Sequence, residues 1–203
     1  MTTEAERFSG EFLRETARII EKLDVTAIDR TVELLSGLRS RDGRLFVVGT
    51  GGGAGHASHA VNDFRKIAGI EAYTPTDNVS ELTARINDDG WETSYVNWLR
   101  TSRFCSRDML LVLSVGGGDT ERGVSVNLVR CIEYAREAGA KICGIVGRDG
   151  GYTARVADVA IVIPPLNPET ITAQTEGLQS VIWHLLVAHP TLRLNEMRWE
   201  SLR

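Results

Sequence analysis

The feature that most constrains this chain is an apolar run, Arg44-Leu-Phe-Val-Val48, that passes without a break into Gly49-Thr-Gly-Gly-Gly-Ala-Gly55. A short apolar run closed by glycine reads as a buried strand. A helix is expected next, over 55–68, stopping at Gly69. The same pattern recurs. Met109–Ser114 ends in a second glycine-rich segment, VGGGDTERGV at 115–124, and a helix over 125–138 closes at Gly139. Lys141–Val146 runs into Gly147-Arg-Asp-Gly-Gly151, and Val159–Ile163 is closed by Pro164-Pro165. Ala72–Thr74 reads as a further short strand. Near-continuous apolar strands alternating with helices require a parallel sheet covered on both faces. Such sheets bind ligands at the carboxyl ends of their strands, which is where this chain carries its glycines.

Two helices precede the first strand, over 4–23 and 26–38, each with apolar residues at helical spacing. Further helices are expected over 80–86, 91–102 and 176–188. No linker or repeat divides the chain. Its 203 residues, 42% of them hydrophobic, suffice for one core. The reading is therefore one domain over 1–203, with N-terminal helices in 1–40 and an α/β core in 41–203.

The formal net charge of −4, with no basic tract, argues against nucleic-acid and membrane-surface partners. The longest apolar runs are too short to span a bilayer, and the opening residues do not form a leader. The three cysteines lack a CxxC spacing, so neither a disulfide framework nor a zinc ribbon is expected. Cys131 and Cys143 read as core residues. A cytoplasmic location is the expectation.

The first glycine loop, with Gly51, Gly52 and Gly53, suits an anion because bare backbone N–H groups and a helix amino terminus meet there. It also fits GxGxxA, so a dinucleotide is a competing reading, with Glu71 as the ribose-binding acid. No strand clearly ends in an acid there. The helix that follows carries His56, His59 and Asp63, and His59 and Asp63 stand one turn apart on one face. The pair can grip one metal or one substrate. In the second loop, Ser114, Gly116, Gly117, Arg122 and Ser125 would surround a phosphate. Ser125 also reads as a helix N-cap. The last helix carries Glu176 and His184, both able to reach one broad face. His189 reads as a C-terminal cap.

The segments GTGGGAGHASHAVND, SELTARIND at 80–88, SVNLV at 125–129 and VGRDGG at 146–151, with Ser114 and the Glu176-to-His184 spacing, resemble the phosphoheptose isomerase family of the sugar-isomerase (SIS) superfamily. The resemblance implies a three-layer α/β sandwich with a five-stranded parallel sheet of flavodoxin-like order. It also implies a homotetramer in which the N-terminal helices pack and the active sites lie between subunits. It implies conversion of sedoheptulose 7-phosphate to D-glycero-D-manno-heptose 7-phosphate through an enediol. A divalent metal, zinc first, would be held by His59, Asp63, Glu176 and His184. Asn87 and Asp88 would face the sugar, and Ser114 and Ser125 the phosphate. This chain departs from the family in three ways. Asp63 stands for a glutamate, Glu176 stands for a glutamine, and the serine-rich phosphate loop has become a longer glycine-rich one.

The chemistry so implied needs a base, an acid and a group that stabilises an oxyanion. Asp63 is the expected base with Glu176 as the alternative, and His184 the expected acid. Two other readings stand beside it: an isomerase for another phosphorylated sugar, and a non-catalytic relative that binds the replication initiator.

Overall fold

The computed structural model describes residues 4–202. Two helices come first, α1 (Glu4–Ile20) and α2 (Val25–Ser40). Asp24 caps α2 by accepting from the N–H groups of Thr26 and Ala27. The α/β core then runs β1 (Leu45–Gly49), α3 (Gly52–Lys66), β2 (Ala72–Tyr73), α4 (Val79–Asp89), α5 (Trp91–Thr101) and β3 (Met109–Ser114). It continues with α6 (Val126–Glu137), β4 (Lys141–Val146), α7 (Gly151–Val156), β5 (Val159–Val162) and α8 (Ile171–Ala188); a short α9 (Arg198–Ser201) follows.

The five strands form one sheet in the order β2-β1-β3-β4-β5, all pairs parallel. This is the three-layer α/β architecture expected, in the flavodoxin-like order. Because successive side chains alternate across a strand, the sheet divides its apolar residues between two cores. Leu45, Val47, Leu111, Leu113, Ile145 and Ile161 pack under α2, α3 and α8. Phe46, Val48, Leu110, Val112 and Ile142 pack under α5 and α6. Cys131 and Cys143 are buried, one in each core, and burial pushes both thiols up.

Two elements differ from the sequence expectation. The final helix begins at Ile171 rather than Glu176, because its polar first turn, ITAQT, has no apolar period to announce it. The helix α7 is too short for a periodic signal. It forms because Gly117 and Gly118 supply its first turn with partners: their carbonyls accept from the N–H groups of Thr153 and Tyr152. Among the described residues, no helix is long and apolar enough to cross a membrane.

Candidate active site

All five strands point their carboxyl ends the same way, and the loops there enclose a cleft of about 1290 Å³. Thr50 comes from the loop after β1 and Gly53 from the first turn of α3. Ser114, Gly116, Gly118, Asp119, Arg122 and Ser125 come from the loop after β3, and Arg148 and Asp149 from that after β4. Glu176 enters from α8. The two glycine-rich loops are tied together by Asn127, whose buried side-chain amide donates to the Thr50 hydroxyl at 3.3 Å.

Within the second loop both polar groups of Gly117 are already committed. The Gly117 N–H donates to Ser114 Oγ at 3.0 Å, and its carbonyl accepts from Thr153 Oγ1 at 2.7 Å. Gly117 has φ +69°, and a Cβ there would strike the Gly150 carbonyl. This residue builds the loop, whereas Gly116 and Gly118 line the cleft. Ser125 does not act as the side-chain cap anticipated for α6. It has φ +52° and makes no capping bond, because the left-handed backbone turns its hydroxyl away from the helix N–H groups. The tip of the loop is held by a two-way backbone pairing of Asp119 with Val124. Arg122 is 3.8 Å from Asp119 and largely exposed.

Glu176 is positioned by how α8 is anchored. Thr170 donates to both oxygens of the buried Glu15 on α1, Gln174 pairs with Thr16, and Gln179 donates to the Ile145 carbonyl. The Glu176 carboxylate then packs on Gly52, where a Cβ would collide with it. Only glycine at 52 leaves that acid room beside the amino end of α3, whose partial positive charge favours an anion there.

Further along the same two helices lies a second group. Asp63 Oδ2 is 3.6 Å from His59 Nε2 and 3.6 Å from His184 Nε2. The two imidazoles stand edge to face with centroids 5.3 Å apart, and Trp183 stacks on His184 at 3.5 Å. The other Asp63 oxygen accepts from Asn62. One donor atom from each of His59, Asp63 and His184 lies within 4.8 Å of the others.

Glu176 is not part of that cluster. Its carboxylate packs instead on Gly52, about two turns along α8 from His184. Because α3 and α8 run side by side in the same sense, Glu176 falls opposite Gly52 while His184 falls opposite His59 and Asp63. Gly51 and Gly52 do not line the cleft, although Gly53 does. Asn87 and Asp88 are exposed on α4, bonded to each other at 2.7 Å, and also outside it.

The cluster fits a cation. His184 Nδ1 is 2.7 Å from the Ser180 carbonyl, which can only accept, so that nitrogen carries the proton. In a neutral imidazole Nε2 is then a bare lone pair facing the Asp63 carboxylate, and something positive belongs between them. Ligands of a tetrahedral zinc stand roughly 3.3 Å apart, close to the 3.6 Å that separates Asp63 Oδ2 from each imidazole. Three protein ligands with one open position is the arrangement of a catalytic rather than a structural zinc.

The dinucleotide reading does not survive the topology. Glu71 precedes β2, so it lies at the amino end of a parallel strand, opposite the ligand edge, with its side chain accepting from Tyr73. Sequence patterns missed Arg148, Arg155, Tyr152 and Thr50 on the cleft wall. The signal for Arg148 was its place directly after a glycine at the end of a buried strand.

Comparison with known proteins gives a consistent picture. The SIS domain family model matches residues 11–147. The lincomycin biosynthesis protein LmbN of Streptomyces lincolnensis is 30% identical over 87% of this chain, which spans 66% of that protein's length. A phosphoheptose isomerase of Geotalea daltonii is 32% identical over 68% of this chain and 70% of its own. The solved structure of phosphoheptose isomerase GmhA from Neisseria gonorrhoeae is similar with a TM-score of 0.76 at 26% identity, covering 91% of this chain and 97% of that one.

Proposed function

The chain belongs to the SIS domain family, and on that premise we propose that it is an aldose–ketose isomerase of phosphorylated sugars, with sedoheptulose 7-phosphate as substrate and D-glycero-D-manno-heptose 7-phosphate as product. The observation that carries the reading is the Glu176 carboxylate seated on Gly52 in the same cleft as the two glycine-rich loops. It puts a proton acceptor within one cavity of an anion cradle.

In this reading the phosphate rests against Ser114, Gly116, Gly118 and Ser125, and the sugar extends toward the groove between α3 and α8. The reacting carbons lie at the end of the sugar remote from the phosphate, so they meet Glu176 first. Glu176 takes the proton from the carbon next to the carbonyl and returns it to the neighbouring carbon. Asp63 faces both imidazoles through one oxygen; His184 would serve the sugar oxygens as the acid in its imidazolium form, and where its Nε2 ligates a cation the cation would take that part. Glu176 is favoured over Asp63 as base because one Asp63 oxygen accepts from Asn62 and the other would bind the cation. His59, Asp63 and His184 would hold a divalent cation, zinc first, which would polarise the carbonyl and stabilise the enediolate.

The assembly belongs to the same proposal: a homotetramer with active sites between subunits. Phe8, Leu13 and Ile20 on α1 and Val25 at the start of α2 are exposed apolar residues, and α4 buries none of its own. A neighbouring copy would cover these and would bring Asn87 and Asp88 to a cleft. Cytoplasmic residence is supported by three unpaired cysteines.

A second reading, a different phosphorylated sugar, is favoured by the long 115–124 loop on the cleft wall and by the LmbN relative. The test is conversion of sedoheptulose 7-phosphate by the purified chain, followed by proton NMR, with sugar phosphates of other lengths in parallel. Turnover by wild type that collapses in Glu176→Gln supports the reading. No turnover of any sugar phosphate overturns it, and turnover of a different one selects the second reading.

A further inference from the structure

We propose that Arg148 is the phosphate clamp of this cleft, a specificity-determining residue that supplies by charge what the glycine-rich loop has lost in hydroxyls. The inference rests on the sugar-phosphate reading above.

The second loop offers an anion mostly neutral donors, and some of those are taken. Its Gly117 N–H is bonded to Ser114, and the carbonyls of Gly117 and Gly118 face the first turn of α7. That turn is therefore closed to an anion. What remains is uncharged: the Ser125 hydroxyl, left without a capping bond, the Thr120 hydroxyl, the N–H groups of Gly116 and Gly118, and the amino end of the twelve-residue α6. A phosphate held only by these would keep most of its charge uncompensated.

Three guanidinium groups line the cleft, and they are not equivalent. Arg122 is 82% exposed and lies 3.8 Å from Asp119, at the outer tip of its loop. Arg155 lies over the Tyr152 ring at 5.8 Å. Arg148, among the described residues, has no hydrogen bond, ion pair or ring contact. Its Cδ passes 4.0 Å from where a Cβ on Gly116 would sit, so its stem runs beside the glycine loop that would cradle the anion.

Arg148 also holds a backbone conformation that costs an arginine energy. It follows Gly147 at the carboxyl end of β4, with φ +54°, a conformation glycine adopts freely and arginine does not. Among the described residues four non-glycines have positive φ, and two of them, Ser125 and Arg148, line this one cleft. Strained backbone of this kind gathers at binding sites. A planar fork able to donate two parallel hydrogen bonds suits phosphate better than a hydroxyl does.

The test is titration calorimetry on the whole chain with sedoheptulose 7-phosphate and with sedoheptulose, which reads binding whether or not the chain turns the sugar over. Arg148→Ala is expected to weaken the phosphorylated sugar roughly ten- to hundredfold and to leave the weak binding of free sedoheptulose unchanged. Arg148→Lys recovers part of the loss, since charge returns without the fork. Arg122→Ala loses less than Arg148→Ala. Arg148→Gly binds as poorly as Arg148→Ala but melts higher, a split that a merely structural arginine would not show. Equal affinity in wild type and Arg148→Ala overturns the clamp, as does wild type that binds no sugar phosphate. Wild type that binds the phosphorylated sugar through Arg148 without converting it sustains the clamp and defeats the isomerase.

Discussion

His184 Nε2 lies 3.6 Å from Asp63 Oδ2, on the same carboxylate oxygen that faces His59. The Ser180 carbonyl accepts from the other His184 nitrogen, so in the neutral imidazole the facing nitrogen and oxygen are both electron-rich. A divalent cation would resolve that conflict. Zinc at a hundredfold excess over its Kd is expected to raise Tm by roughly 5–10 °C. His184→Ala and Asp63→Asn should each lose most of the shift, read by differential scanning fluorimetry. Equal shifts in all three proteins would remove the cation from the cluster.

Gly52 exists for the sake of Glu176. A methyl group at 52 meets only the end of a flexible side chain, so the helix accommodates it by moving the carboxylate. Gly52→Ala should change Tm by no more than about 2 °C, since position 52 opens α3 and the added methyl displaces only a flexible side chain. It should lower kcat roughly a hundredfold, the scale of a misplacement of about 1 Å. Unaltered kcat would place the reacting carbons away from Glu176.

Gly117 plays the opposite part. It has φ +69° and its Cα faces the Gly150 carbonyl, a backbone atom that cannot rotate away. Gly117→Ala should cost roughly 2–4 kcal/mol through left-handed strain and overpacking. Urea unfolding measures this. A loss below about 1 kcal/mol would mean that the two loops separate easily.

Far from the cleft, Asp108 accepts from the Arg44 guanidinium, at 3.1 and 2.8 Å, and from the backbone N–H groups of Arg44 and Cys105. Burial alone would push the Asp108 carboxyl up. The bonds from Arg44 and from the two backbone groups outweigh it and hold the carboxyl below the usual carboxylate range. A depressed folded pKa stabilises the fold above the unfolded value, and that contribution is lost as pH falls through the folded one. Asp108→Asn should therefore cost roughly 2–3 kcal/mol near neutral pH, with the gap closing below about pH 4. A gap that is constant with pH would assign the loss to packing.

The strands were legible because both of their faces are apolar. Met109–Ser114 and Lys141–Val146 match residue for residue, and the other three differ only at their ends. The loops at the carboxyl edge were legible because glycine marks them, and His59 with Asp63 because one turn of helix brings them together. The initial turn of α8 and the whole of α7 were not, since polar or very short helices leave no period to read.

The sequence by itself determined the parallel sheet, its ligand edge and the residues able to do chemistry there. Those follow from side-chain period and backbone freedom, which are local. The tertiary structure alone decided which of those residues meet. The side-by-side course of α3 and α8 puts Glu176 on Gly52 and His184 on Asp63. Arg148 reaches the second glycine loop because β4 lies beside β3 in the sheet. Such meetings depend on how elements pack at long sequence range, and no spacing within one element encodes them.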